Sequence, residues 1–269
     1  MPTRENEQTE NRFPPGTFTP DPRPNTVTQM LAAQSRLELT LLLRNGEQLL
    51  LTMFIPITLL VGLTVLPLGS FGHNRAATFV PVIMALAVIS TAFTGQAIAV
   101  AFDRRYGALK RLGATALPVW GIIAGKSVAV VAVVFLQAVI IGAIGFALGW
   151  RPNLVALALG AGIIALGTAC LAALGLLLGG TLRAEIVLAI ANLLWFAFAG
   201  FGALTAELDT QTTMVPSTVS WVARFTPSGA LTEALTHAMT LSVDWFGITV
   251  LTVWGALAGL GALRWFRFA

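Results

Sequence analysis

The feature that most constrains this chain is a succession of uninterrupted apolar runs, each about 20 residues long or more. The first is LLLTMFIPITLLVGLTVLPL at 49–68, and others follow at 77–102, about 127–149, 154–181, 186–204 and 245–266. At about 1.5 Å per residue, a helix of that length crosses the hydrocarbon core of a bilayer. Backbone groups in hydrocarbon must be satisfied within the structure, and a closed barrel would alternate apolar and polar residues, so continuous runs are helices. Composition agrees: 56% of the 269 residues are hydrophobic and 10% are charged, against about 25% charged in a soluble domain. The expected fold is an all-α integral membrane protein with six transmembrane helices, with Pro56 and Pro81 tolerated as kinks.

The segments outside the spans divide the rest of the chain. Residues 1–24 mix charges with prolines and lack an apolar stretch, so they are expected to form a disordered cytoplasmic tail rather than a signal peptide. Over 25–48, Val27, Met30, Leu31, Leu37 and Leu41 share a helical face, while Gln34, Arg36, Glu38, Arg44 and Glu47 are read as polar elsewhere. That pattern predicts an amphipathic interfacial helix lying along the membrane. Residues 49–269 then form the six-helix transmembrane domain.

Orientation follows from Lys and Arg near the span ends. One side carries Arg36, Arg44, Arg104, Arg105, Lys110, Arg111, Lys126, Arg183, Arg264 and Arg267, and the other Arg75, Arg151 and Arg224. Ten against three places both termini in the cytoplasm. The net charge of +4 therefore reports topology, not a nucleic-acid partner. Trp120, Trp150, Trp245 and Trp265 fall near predicted interfaces, as an aromatic belt does.

Chemistry internal to the chain is hard to assemble. GIIAGKS at 121–127 has three residues between its first glycine and the Gly-Lys pair where a phosphate-binding loop needs four, and it follows a loop instead of a strand. Lys126 is read as a cytoplasmic anchor. No ionisable side chain stands near the centre of a span, where ion-coupled transport would place one. Gln96, Gln137 and Asn192 are the strongest polar groups within the spans, and they suit hydrogen bonds between helices. With Trp195, Phe196 and Phe198 nearby, Asn192 is the best candidate to line a pathway, and Gln96, Gln137, Trp195 and Phe198 are carried with it as possible lining. His73 and His237 lack zinc-ligand spacing, Glu207 and Asp209 read as solvated loop carboxylates, and the lone Cys170 excludes an intrachain disulfide. No catalytic, cofactor-binding or metal site is expected, and the chain is not read as an enzyme. Glycines at helical spacing (Gly142, Gly145 and Gly149; Gly175 and Gly179; Gly255 and Gly259) predict close helix packing within a bundle or at a dimer seam.

The segment with most content is FDRRYGALKRLGATALPVWGIIAGK at 102–126. Phe102, Tyr106, Leu109 and Leu112 make an apolar face, Asp103, Arg104, Arg105, Lys110 and Arg111 a charged one, and Gly113 and Pro118 end the helix. It suits either an interfacial helix on anionic lipid or a docking element for a cytoplasmic protein.

Here the sequence resembles the permease subunits of ABC-2 type exporters, whose corresponding loop reads approximately E-R-E-x-G-T-L-x-x-L-x-x-T-P, followed by a Gly-Lys entering the third span. Arg104, Arg105, Gly107, Leu109, Leu112, Thr115, Pro118, Gly125 and Lys126 match in type and order, while Asp103 takes the first acidic position and Ala108 replaces a threonine. The order of elements is similar over nearly the whole chain, including an external segment, 205–244, in which Val215, Val219, Val222 and Phe225 share a face and which family members dip back into the outer leaflet. The resemblance implies a coupling helix over 103–118 (Asp103, Arg104, Arg105, Tyr106, Gly107, Leu109, Lys110, Arg111, Leu112) and two copies of a separate cytoplasmic ATPase that binds ATP and Mg. It further implies a second permease copy or a related permease, contact with membrane lipids, a bacterial plasma-membrane location and an amphipathic, lipid-like or drug-like substrate. The alternative is a membrane scaffold or sensor that recruits a cytoplasmic partner through the same loop.

Overall fold

The computed structural model describes residues 26–66, 74–115, 117–207 and 217–266, together with Pro14, Gly16, Thr17 and Thr19. The expected tail, His73, Asp209, Val215 and Arg267 lie outside the described residues, apart from those four positions of the tail. Within them the chain is helical and no strand forms. The helices are α1 (Val27–Arg44), α2 (Gly46–Val65), α3 (Arg75–Val88), a π-helical segment (Ile89–Gly95), α4 (Gln96–Arg105), α5 (Ala108–Gly113), α6 (Val119–Ala147), α7 (Leu154–Thr181), α8 (Ala184–Glu207), α9 (Ser217–Phe225), α10 (Pro227–Met239) and α11 (Trp245–Trp265).

Their starts are chemically marked. Thr26 and Gln29 close a reciprocal capping box at α1, Asn74 and Asn153 cap α3 and α7, and Thr226 caps α10 ahead of Pro227. Each side-chain oxygen satisfies an amide that has no partner within its own helix.

Among the described residues, five helices are long and apolar enough to cross a membrane: Arg75–Arg105, Val119–Ala147, Leu154–Thr181, Ala184–Thr205 and Trp245–Trp265. The first expected span corresponds to α2, whose described apolar stretch, Thr52–Val65, is shorter. Pro56 and Pro81 are accommodated inside α2 and α3.

The hub is α7, which packs against α11, α4, α10, α6 and the π segment. Small residues make this possible. A β-carbon at Gly175 would stand 2.7 Å from the carbonyl oxygen of Phe93, one at Gly179 would strike Ala97 O, and one at Gly167 would strike the Leu231 side chain. The glycine spacing in α7 therefore serves contacts within this chain, with helix backbones in near contact. Gly145 does the same for Val80 and Trp150. Trp150 is buried in the main core, so it departs from the interfacial belt expected of it, whereas Trp120, Trp245 and Trp265 are exposed. α10 is also buried, against α8, α7, α11 and α3. It is tied to the exposed apolar face of α9 by a two-pronged Arg224–Glu233 ion pair, with nitrogen to oxygen distances of 2.8 Å.

The first helix departs from the sequence reading. Gln34 and Glu38, expected on a polar face, are its buried residues, while Leu37, Leu41 and Val27 are exposed. The helical period explains this, since 27, 30, 34, 38 and 41 follow one another at steps of three or four residues, with 31 beside them, and form one stripe. Gln34 and Glu38 are thus set into the apolar face, and it is their edge of that face that docks on α6.

Candidate functional site

The site begins where the second span leaves the bundle. α4 ends at Arg105, and Gly107 takes a left-handed conformation at φ 72°, which glycine adopts without the steric cost of a β-carbon. The single helix expected across 103–118 is therefore broken, and its apolar stripe is divided. Leu109 of α5 is 0% exposed and belongs to a buried cluster with Val100, Ile122, Leu176 and Ala262, with Leu112 packed against it. That cluster gathers residues of α4, α6, α7 and α11. Tyr106, in the turn before Gly107, is 70% exposed. Lys110 and Arg111 also face outward.

Arg104 and Arg105 have structural partners. Arg104 donates through Nη1 to Gly180 O at 2.6 Å and through Nη2 to Leu182 O, so it satisfies the free carbonyls at the end of α7. Arg105 pairs with Glu185 at the start of α8, with both side chains largely exposed. The two arginines fasten the end of α4 to the turn between α7 and α8.

Asp103 joins a buried cluster that the sequence did not suggest. Lys126, only 4% exposed, donates to Glu38 Oε2 at 2.9 Å and to Asp103 Oδ2 at 2.8 Å, while Gln34 Nε2 donates to the other oxygen of Glu38 at 2.8 Å. A charge taken out of water requires such partners. Lys126 is therefore the bond between α1, α4 and α6, not a solvated anchor. Gly125 beside it explains the Gly-Lys pair: a β-carbon there would lie 2.6 Å from Gln34 Cγ and block the approach of α1.

Next to this cluster a cavity of about 660 Å³ opens between α2, the π segment with α4, and α8. Asn45, Glu47 and Asp103 mark its α5 end, and Ser90, Thr94 and Trp195 line it farther along. Trp195 Nε1 donates to Ser90 Oγ at 2.7 Å, and Ser90 donates to Leu86 O at 2.9 Å. Its walls thus combine aromatic surface with a few fixed polar groups, which suits an amphipathic molecule. Of the residues singled out from sequence as possible lining, the structure brings Asn192 and Trp195 together here. Asn192 bonds back to Leu188 O at 2.7 Å. Gln96, Gln137 and Phe198 lie elsewhere. Gln96 is buried in the packed side of α4, Gln137 accepts a hydrogen bond from Thr91 Oγ1 at 2.9 Å, and Phe198 stacks edge-on against Phe93, with ring centroids 5.2 Å apart. Ser90, Thr94 and Glu47 were missed. The signal for Ser90 and Thr94 was the polar run Ser90, Thr91, Thr94, Gly95 and Gln96 inside an otherwise apolar span.

Among the described residues no group of His, Cys, Asp and Glu is arranged to hold a metal, and His237 bonds to Ser242 at the far end of α10. A comparison with curated proteins finds no match. The family described as ABC-2 family transporter protein matches residues 69–266, which takes in the α4–α5 turn, Lys126 and most of the cavity wall, and the chain belongs to that family.

Proposed function

We propose that this chain is the transmembrane permease subunit of an ATP-driven exporter, paired with two copies of a cytoplasmic ATPase that binds ATP and Mg, and with a second permease copy or a related permease. Both termini lie in the cytoplasm and the location is a bacterial plasma membrane. The cavity beside Trp195 is this subunit's share of a pathway for an amphipathic, lipid-like or drug-like substrate. α9 and α10 return from the external face into the outer leaflet. The chain itself catalyses nothing.

The observation that most supports coupling is the seat of α5. Lys110 and Arg111 on its outward side, and Tyr106 in the turn before it, are exposed, while Leu109 on its inward side is buried in a cluster drawn from four other helices. A partner that binds two conformations with different affinity shifts the balance between them. Closure of an ATPase dimer around ATP supplies such a difference at α5. The push passes to α4 and the cavity wall through the Gly107 turn.

The test is Lys110→Glu with Arg111→Glu in the full chain, co-expressed with its ATPase. Arg104 is unsuitable because it caps α7. Transport per ATP hydrolysed should fall at least about tenfold with membrane insertion unchanged, since reversal of two contact charges costs a few kcal/mol of docking energy. Unchanged coupling would count against α5 as the docking element. A chain that purifies alone from membranes that preserve other complexes would favour the scaffold or sensor reading.

A further inference from the structure

At the end of the bundle away from α5, two cavities adjoin. One is an apolar slot of about 330 Å³ between α3, α6, α7 and α10, with Met84, Phe146, Ala161 and Leu235 in its walls. The other is a polar bowl of about 300 Å³ lined by Asn74, Arg151, Asn153 and Thr240. Trp150, Pro152 and Met239 belong to both.

Arg151 stands where they meet. Its guanidinium lies over the Phe146 ring, 3.8 Å from the centroid, a wall of the slot, and that cation–π contact holds it in place. Nη1 donates to Phe146 O and to Trp150 O. These are neutral carbonyls, and no ion pair among the described residues includes Arg151. Nε and Nη2 have no acceptor among those residues and remain available. The Oδ1 atoms of Asn74 and Asn153 accept from the backbone at the starts of α3 and α7, which leaves their amide Nδ2 groups as donors. Among the described residues the bowl therefore offers one uncompensated cation and two amide donors, and no carboxylate lines it. Val139, Phe146 and Leu157, which edge the slot, are exposed, so the slot opens sideways toward lipid.

We infer that these cavities bind a glycerophospholipid with an anionic headgroup, one acyl chain in the slot and the phosphate on Arg151. The lipid comes from the leaflet farther from α5, which is the outer leaflet in the orientation proposed above. A soluble phosphate would satisfy the bowl alone, and an uncharged lipid the slot alone, whereas a phospholipid satisfies both. The guanidinium can take two phosphate oxygens at once. This binding does not depend on the transport reading and stands or falls without an ATPase.

The test uses the full chain reconstituted in vesicles of equal phosphatidylglycerol and phosphatidylcholine, extracted in mild detergent, with retained lipid identified by native mass spectrometry. Both lipids carry the phosphate, but the choline of phosphatidylcholine brings its own cation beside Arg151 and offsets that contact, so the wild type should retain phosphatidylglycerol over phosphatidylcholine by about tenfold. Arg151→Gln should reduce that preference to less than about twofold, and Arg151→Lys should keep part of it. Ala161→Phe, which fills the slot, should lose both lipids. Millimolar glycerol 3-phosphate should displace neither. Undiminished preference in Arg151→Gln, lipid retention by a folded Ala161→Phe, or displacement by glycerol 3-phosphate would each overturn the inference. If Ala161→Phe does not fold, the exposed Arg151→Gln decides it.

Discussion

Replacing Lys126 by Met should release α1 from the bundle while the rest of the fold stays intact. Lys126 bridges Glu38 and Asp103 at 2.9 and 2.8 Å. Removing one member of a buried ion pair costs about 3–5 kcal/mol, because its partner is left charged and poorly solvated. The two carboxylates share that cost unequally. Asp103, with a side chain 39% exposed, recovers water and contributes less than about 1 kcal/mol. Glu38, with a side chain 9% exposed, keeps only the Gln34 amide, so it carries most of the loss. Taking about 3 kcal/mol, and 1.4 kcal/mol per decade, local opening of α1 should become about 100-fold more frequent. Hydrogen exchange of the full chain in nanodiscs should then show faster exchange in 27–44, with α7 and α10 unchanged. Adding Glu38→Gln removes the stranded charge and should restore most of the protection. The reasoning fails if 27–44 exchanges alike in wild type and Lys126→Met, or if the second substitution restores nothing.

The two neighbouring arginines should behave differently. Arg104→Gln removes charge-assisted bonds to the end of α7 and should lower stability by about 1.5–3 kcal/mol, whereas Glu185→Ala, breaking the exposed pair with Arg105, should cost less than about 1 kcal/mol and matter less in high salt; thermal unfolding of both variants in nanodiscs checks the order. Trp195→Phe keeps a ring in the cavity wall but loses the bond to Ser90, so it should cost about 0.5–1.5 kcal/mol. Ser90→Ala should have a similar effect, and the double variant should fall short of the sum, measured by the same unfolding.

The spans were legible because exclusion of water acts on composition over tens of residues, and 154–181 coincides with α7. What escaped depends on partners far away in sequence. Glu38 and Lys126 are separated by 88 positions, and neither, read alone, reveals that the other neutralises it. Trp150 follows a span end in sequence, yet the chain turns at Gly149, whose φ is 100°, and buries the ring against α6. Asn192 and Trp195 were recognisable as polar and aromatic members of a span. Gln96 and Gln137 had the same credentials, and only the packing of α4 and α6, which buries both, separates them from an amide that lines space.

The π segment has a consequence for how the second span is specified. Along α3, Ala76, Val80, Ile83 and Ala87 are buried. Along α4, Ala97, Val100 and Ala101 are buried, while Thr94 of the π segment, Ile98 and Phe102 border the cavity. A π turn holds about one residue more than an α turn, so it resets by about 100° the azimuth at which α4 follows α3. The upper half is phased to the core, and the lower half is phased so that Gly179 meets Ala97 and Asp103 reaches Lys126. Hydropathy is indifferent to a residue gained or lost between Ile89 and Gly95, yet such a change would rotate one half against the other, so this stretch is constrained by its length as firmly as by its composition.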